Sequence, residues 1–342
     1  MENPSIVFTE INKAELIDTD LPAVSGDLVK IKTAFTTLSP GTERANIVGN
    51  DTVNGTKAPN VTFPRSAGYS ASGVVVEVGE AVTGLQVGDR VIGFWTKHKA
   101  YNVIPAERVV KIPDALPLSL AAQIFVATFP MAAIRKCRTE AGEAALVMGL
   151  GLLGQYAVRL LHAVGAAPVV AVDPVASRRA EALAGGADYA LSPTEPDFAA
   201  KVKALTGGGA AVAIEVTGVG AGLDGALDCM KKFGRIALLG CTRDKHFYID
   251  YYRKVHCPGI TLIGAHTNAR PEAESHPGYF THRDDIEAII RLLTYKRVAF
   301  DGLSGEVHSP AECPEVYDRL IREKDFPTVV LFDWSRLGEQ GK

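Results

Sequence analysis

Between Ala144 and Met148 the chain is wholly apolar. It then breaks at Gly149-Leu150-Gly151-Leu152-Leu153-Gly154, continues with apolar positions at helical spacing, and returns to an apolar run, Pro168–Val172, that ends in Asp173. Short apolar runs alternating with amphipathic helical stretches are what a parallel sheet covered on both faces requires. The alternation continues through Tyr189–Leu191, Val212–Val216, Arg235–Leu239 and Ile260–Ile263. It predicts an α/β fold with a doubly wound, parallel, six-stranded sheet. Upstream the pattern differs. Leu28–Thr33, Ala71–Val78, Arg90–Gly93 and Tyr101–Ile104 are short strands between Gly, Pro and Asp turns, which predicts a small barrel-like, β-rich domain. A helix over Ala121–Cys137 joins the two patterns. Helices at Arg283–Leu293 and near Pro310–Arg322 and a last strand, Thr328–Phe332, follow the six strands. Because the sheet is already complete, this tail is expected to return to the first domain. The resulting boundaries are 1–122, 123–265 and 266–342.

Composition narrows the function classes. A length of 342 residues suits two domains, and a net charge of −3 with no basic tract argues against nucleic acid or a membrane surface as partners. No apolar run reads as a membrane span. The start, MENPSIVFTE, lacks a basic region followed by an apolar core, so no secretory signal is expected and a cytoplasmic location is. Cys137, Cys229, Cys241, Cys257 and Cys313 are scattered without C-x-x-C spacing, and all five read as small buried hydrophobes in a reducing compartment.

The glycine turn carries the chemistry. In a strand–turn–helix context, Gly149 permits the tight turn, Gly151 lets the backbone approach a pyrophosphate, and Gly154 lets helix and strand pack closely. The N–H groups at Gly151, Leu152, Leu153 and Gly154 open a helix whose positive end suits phosphate. Asp173, nineteen positions past Gly154, is placed to accept the adenosine ribose hydroxyls and to repel a 2′-phosphate. NAD is therefore expected rather than NADP. Arg178 and Arg179 leave the phosphate-gripping alternative open.

This order of elements resembles the medium-chain dehydrogenase/reductase superfamily, whose members include the zinc alcohol dehydrogenases and the quinone reductases. The resemblance spans essentially the whole chain and rests on Ala71–Arg90, Gly149–Gly154, Val216-Thr217-Gly218 and Leu239-Gly240. It implies a GroES-like catalytic domain, a Rossmann domain with the dinucleotide in a cleft between them, and a homodimer formed through the last Rossmann strand, Ile260–Ile263. It further implies cofactor contacts at Arg178, Thr217, Gly240 and Ala265. The chain departs from the zinc enzymes at their ligand positions. Pro40-Gly41-Thr42-Glu43 stands where they carry Cys-Gly-Thr/Ser-Asp, Gly68-Tyr69-Ser70 where they carry Gly-His-Glu, and Phe125 lies in the remaining ligand region. Catalytic zinc needs about three ligands from Cys, His, Asp or Glu, so no metal is expected. Similar Ser-x-Gly-Thr-Glu and Gly-Tyr-Ser segments, within the N-terminal third alone, occur in a zinc-free branch that includes bacteriochlorophyllide hydroxyethyl dehydrogenase and bi-domain sugar oxidoreductases.

Without a metal, side chains must move the proton and stabilise charge on oxygen. The resemblance points Tyr69 into the vacated ligand site, where it either donates as a general acid or packs. It matches Thr42 to the proton-relaying hydroxyl, with local capping as the alternative. It matches Glu43 to the acid behind the metal, where it orients Arg44 or an amide. His98 lies in a loop that lines the substrate cleft in the family, and His266 follows the last Rossmann strand; a histidine is the natural shuttle near neutral pH. Trp95, Tyr101 and Phe125 wall a pocket or pack the barrel. The polar segment His266–Asp285 is either a binding loop for a hydroxylated substrate or a solvated or subunit-bridging loop. The expectation is a zinc-independent, NAD-dependent dehydrogenase interconverting a secondary alcohol and a ketone on a small hydroxylated molecule such as a sugar, polyol or cyclitol. An enoyl or quinone reductase and a non-catalytic NAD(H) sensor remain as alternatives.

Overall fold

The computed structural model describes residues 2–54, 61–242 and 246–337. Contacts divide the chain into one unit of residues 1–126 and 304–342 and a second of residues 127–303. The sequence places the boundaries at 122 and 265; in the structure residues 266–303 cluster with the second unit and only the remainder of the tail with the first.

The chain starts with a hairpin, β1 (Pro4–Glu10) and β2 (Lys13–Asp18), turned at Asn12 with φ of 63°. This hairpin is absent from the sequence reading. Pro4 to Phe8 are buried on both faces, which erases the alternation a half-buried strand shows. β3 (Leu28–Leu38) is five residues longer than the apolar run that announces it. Its second half carries polar residues that are nonetheless buried: Thr36 Oγ1 accepts from Trp334 Nε1 (3.1 Å), and Thr37 Oγ1 donates to the Ala122 carbonyl (2.8 Å). Next come α1 (Pro40–Ile47), β4 (Arg65–Ser66), β5 (Ser70–Val78), β6 (Arg90–Phe94), β7 (Tyr101–Pro105) and β8 (Val109–Lys111). Helix α2 (Leu118–Lys136) carries the boundary between the units. With 19 residues and a mean hydropathy of 1.5, it is long and apolar enough to cross a membrane, which corrects the expectation of no such run; 78% of its apolar window is buried in the protein.

The second unit holds β9 (Ala145–Met148), α3 (Leu152–Ala163), β10 (Val169–Val172), α4 (Ala176–Ala184), β11 (Tyr189–Leu191), α5 (Phe198–Leu205), β12 (Ala210–Glu215), α6 (Gly220–Asp228), β13 (Met230–Leu238), β14 (Thr261–Gly264) and α7 (His282–Thr294). Its six strands are all parallel in the order β11-β10-β9-β12-β13-β14. The order reverses between β9 and β12, and in such sheets ligands bind beyond the carboxyl ends at that point. The tail then supplies β15 (Gly305–His308), α8 (Cys313–Arg322) and β16 (Val329–Asp333). β15 and β16 complete a sheet in the order β15-β16-β3-β5-β6-β8, with β7 also paired to β3. The tail thereby rejoins the first unit, where Tyr317, Phe332 and Trp334 pack with Phe8 and Leu38. Cys137, Cys229 and Cys313 are buried as expected, and burial pushes each thiol up to about 12. Cys241 and Cys257 are exposed, a correction: both lie in connections after strands or helices rather than in them.

Candidate functional site

In the second unit the expected cofactor residues gather at the carboxyl edge of the parallel sheet. Gly149 follows β9 with φ of 96°, a conformation that favours glycine, and a Cβ there would come 2.9 Å from Thr217 Cγ2. A Cβ on Gly154 would lie 1.9 Å from the Gly149 carbonyl oxygen, so α3 can sit on the turn only with glycine at this position. Gly151 caps α3, and nothing lies within 4 Å of where its Cβ would point. The first-turn N–H groups of Leu152, Leu153 and Gly154 thus open beside uncrowded space, which suits a phosphate group.

Asp173 is 5% exposed and does more than the sequence suggests. Its Oδ2 accepts from the Leu150 N–H and its Oδ1 from the Val175 N–H, both at 2.8 Å, so the carboxylate braces the glycine turn from the neighbouring strand end. Each oxygen retains a second lone pair for a hydroxyl. Arg178 Nη1 lies 4.0 Å from Oδ2. Arg179 Nη1 donates to the carbonyls of Asp173 (2.8 Å) and Pro174 (2.9 Å), so this guanidinium is already engaged.

Thr217 and Gly240 enter the same edge. A Cβ on Gly240 would come 2.5 Å from the Gly218 nitrogen, and one on Gly218 would come 2.5 Å from the Cys241 carbonyl oxygen, so the ends of β12 and β13 are tightly apposed. The residue the sequence reading missed is Glu215, 3% exposed. It accepts from the Thr217 N–H (2.8 Å) and hydroxyl and from the Gly218 N–H (3.3 Å), while burial raises its pKa. An acid closing the apolar strand AAVAIE, as Asp173 follows β10, was a readable signal. Ala265 is 2% exposed with its N–H on the Leu238 carbonyl (3.1 Å). His266 is exposed, and its Nδ1 accepts from the Asn268 N–H at 3.2 Å, which places a neutral ring's proton on Nε2.

The first unit gathers Thr42, Glu43, Tyr69 and His98. Ser39 and Pro40 start α1 where the sequence suggests a turn; proline at N1 is pre-organised for a helix. Thr42 is half-buried, and its hydroxyl makes no hydrogen bond among the described residues, so it does not cap the helix. Glu43 is 2% exposed. It accepts from the Ser39 N–H (2.8 Å), from His98 Nε2 (3.1 Å) and from the Tyr317 hydroxyl, and not from Arg44, which donates instead to the Ile321 carbonyl. His98, expected in a cleft-lining loop, is fully buried; its loop folds onto Gly68, and the His98 N–H donates to the Ala67 carbonyl at 2.9 Å. Its Nδ1 has no hydrogen-bond partner. Tyr317, also missed from the sequence, has its phenol pushed well above the ordinary value by burial and by Glu43, so it stays a neutral donor. Tyr69 is half-buried in an aromatic group, with ring centroids 6.0 Å from Trp95 and 5.9 Å from Phe125. Phe125 is fully buried and packs; Tyr101 is half-buried on β7.

The polar segment 266–285 is tied to its own unit. Asp285, fully buried, accepts from Arg135 Nε (2.8 Å) and Arg270 Nη1 (3.1 Å), and Arg270 Nη2 donates to the Thr128 carbonyl (3.1 Å). Asp284 accepts from the Thr281 hydroxyl and donates its N–H back to it, capping α7. Arg270 and Asp285 are therefore structural anchors of the segment, while Glu272, Glu274 and His276 within it are exposed.

Residues 27–114 match the alcohol dehydrogenase GroES-like domain family and residues 153–276 the family described as zinc-binding dehydrogenase. L-threonine 3-dehydrogenase of Thermococcus kodakarensis is 30% identical over 257 residues, 66% of this chain and 72% of that one. The chain belongs to the medium-chain dehydrogenase/reductase superfamily, alcohol dehydrogenase-like. It is an oxidoreductase. D-guloside 3-dehydrogenase of Escherichia coli K12 is 27% identical over 335 residues, 92% of this chain and 95% of that one. A crystal structure of 2R,3R-butanediol dehydrogenase from Bacillus subtilis shares the fold with a TM-score of 0.80 at 23% identity, covering 97% of this chain and 99% of that one.

The zinc named in the family description does not fit the residues at the expected ligand positions. Proline and phenylalanine offer no donor atom at 40 and 125, and Tyr69 offers only a phenol. Among the described residues no group of three or more His, Cys, Asp or Glu could hold a metal ion. The residues do fit a dinucleotide: glycines at 149 and 154, where a Cβ would crowd the turn, a glycine at 151 that leaves the helix start beside open space, and a carboxylate at the next strand end.

Proposed function

We propose that this protein is an NAD-dependent, zinc-independent dehydrogenase that interconverts a secondary alcohol and a ketone on a small hydroxylated substrate. The observation that carries the reading is the edge at Gly149–Gly154: a cradle closed by Asp173, with Arg179 already engaged by two carbonyls. That arrangement offers acceptors to a ribose diol and no uncommitted guanidinium on Arg179 for a 2′-phosphate. Gly149, Gly151, Leu152, Leu153 and Gly154 seat the pyrophosphate, Asp173 and Arg178 the adenosine ribose, and Thr217, Gly240 and Ala265 the rest of the dinucleotide. Bound NAD supplies the hydride acceptor.

Thr42 and Tyr69 handle the proton of the reacting hydroxyl. Thr42 Oγ1 is uncommitted and accepts the alcohol proton while passing its own to water; the Tyr69 phenol donates to the developing carbonyl oxygen. Glu43 acts as a positioning residue. It holds the 39–43 helix start, His98 and Tyr317 in one buried cluster, so Glu43 and His98 shape the site rather than meet the substrate. His266, which follows β14, serves the nicotinamide end. The edge strand β14, where Leu262 is 38% exposed, is the surface for a homodimer.

The test is a turnover screen of sugars, polyols, cyclitols and secondary alcohols with NAD and with NADP, with and without a metal chelator. NAD-dependent, chelator-insensitive oxidation is expected. Activity abolished by the chelator, or reduction of enones or quinones in place of alcohol oxidation, overturns the proposal.

A further inference from the structure

Helix α2 ends on a lysine that is buried and that the proposed proton relay does not use. Lys136 is 7% exposed and makes no ion pair among the described residues. Main chain holds its ammonium instead. Nζ donates to the carbonyls of Gly264 (3.0 Å) and Ala269 (2.5 Å) and lies 5.7 Å from the centroid of the Tyr279 ring. Gly264 is the last residue of β14, and a turn over residues 265–269 follows it. At the start of the turn the Ala265 N–H donates to the Leu238 carbonyl at the end of β13 (3.1 Å). Inside it the Ala269 N–H donates to the His266 carbonyl (2.9 Å) and the Asn268 N–H to His266 Nδ1 (3.2 Å). One buried ammonium therefore ties both ends of this turn to α2, and all of these residues except the start of α2 lie in the second unit.

Closing a turn does not require a charge. An ammonium taken out of water without a carboxylate is costly. Burial is the largest influence on Lys136 and lowers its pKa, and Arg270 lowers it further. The buried carboxylate of this region, Asp285, is already shared by Arg135 (2.8 Å) and Arg270 (3.1 Å). The position of the turn gives the arrangement a use. A doubly wound sheet binds a dinucleotide as two mononucleotide halves, one on each side of the point where the strand order reverses. That point lies between β9 and β12. Asp173 follows β10 and braces the glycine turn, so the adenosine half belongs to the side of β9, β10 and β11. The nicotinamide half then belongs to the carboxyl ends of β12, β13 and β14, and the turn that Lys136 clamps leaves the last of these. Backbone fixed before a ligand arrives loses no further freedom on binding, so a clamp at this place strengthens that half of the cofactor in particular.

We propose that Lys136 is a positioning residue for the nicotinamide half of the cofactor: its bonds to Gly264 and Ala269 hold the 265–269 turn in the shape that receives that half. The inference rests on the NAD reading, because it concerns the same sheet edge. Two measurements test it, and neither uses turnover. The first is calorimetric titration with NADH and with ADP-ribose, which keeps the adenosine half and the pyrophosphate and lacks nicotinamide. Lys136→Met, which keeps an unbranched chain and removes the donors, is expected to weaken NADH about tenfold and ADP-ribose less than about twofold. A lysine that merely supported the fold would weaken both alike. The second uses wild type alone and so holds even where the variant does not fold. Hydrogen exchange of the 265–269 amides is expected to slow about tenfold more with NADH than with ADP-ribose. Equal losses for the two ligands in Lys136→Met, NADH bound by that variant as tightly as by wild type, or equal exchange under both ligands in wild type overturns the proposal. A wild type that binds neither ligand overturns the NAD reading and this inference with it, whereas binding of both together with any of those three results overturns the inference alone.

Discussion

Two alanine substitutions three residues apart are expected to do opposite things. At Gly154 an added Cβ would lie 1.9 Å from the Gly149 carbonyl oxygen, where 3.0 Å is the closest such atoms come, so the glycine turn must shift by more than about 1 Å against backbone that cannot swing aside. Overpacking of this kind costs about 2–3 kcal/mol, which lowers Tm by several degrees for a unit of this size. At Gly151 the backbone is extended (φ −69°, ψ −170°), a conformation any residue adopts, and an added Cβ meets nothing within 4 Å. Gly151→Ala should therefore keep wild-type Tm within about 2 °C. It should nevertheless weaken NAD about tenfold or more, because the methyl group occupies the space through which a pyrophosphate approaches the helix start. Calorimetric NAD titration and thermal melts of both variants separate the effects. Gly151→Ala binding NAD as tightly as wild type would show that no dinucleotide sits over this turn. An unshifted melt for Gly154→Ala would show that the helix–turn contact is not the constraint described.

Tyr317→Phe removes the hydroxyl that the buried Glu43 carboxylate accepts from; a loss of about 1–3 kcal/mol in urea unfolding is expected, and a change under about 0.5 kcal/mol would remove Glu43's positioning role. His282 is held down at about 3, chiefly by burial and secondarily by Arg270. The unfolded chain thus takes up this proton from about pH 6.5 downward while the folded one does not, so stability is full above that pH and falls as pH drops toward 3. His282→Gln should flatten that acid limb by about 1–3 kcal/mol, measured as urea midpoints between pH 7 and pH 4; parallel curves for the two proteins would contradict it.

The sequence by itself determined what is local and periodic. The apolar runs that became β9–β14, the helices between them and the glycine turn were legible because a strand covered on both faces and a helix start each leave a pattern within a few residues. The tail's return was legible by counting strands. Elements whose pattern was cancelled by burial were not: β1 is covered on both faces, and the second half of β3 hides two threonines by bonding them to Trp334 and Ala122. The sequence supplied Asp173 but not its bonds to Leu150 and Val175. It supplied Glu43 and His98 but not Tyr317, which lies 274 positions from Glu43. Tertiary structure alone decided those partnerships, and with them which polar side chains are committed (Glu43, His98, Arg179, Arg270). Hydrogen bonds and charge pairs depend on distance in space, and no residue type carries that distance in its own chemistry.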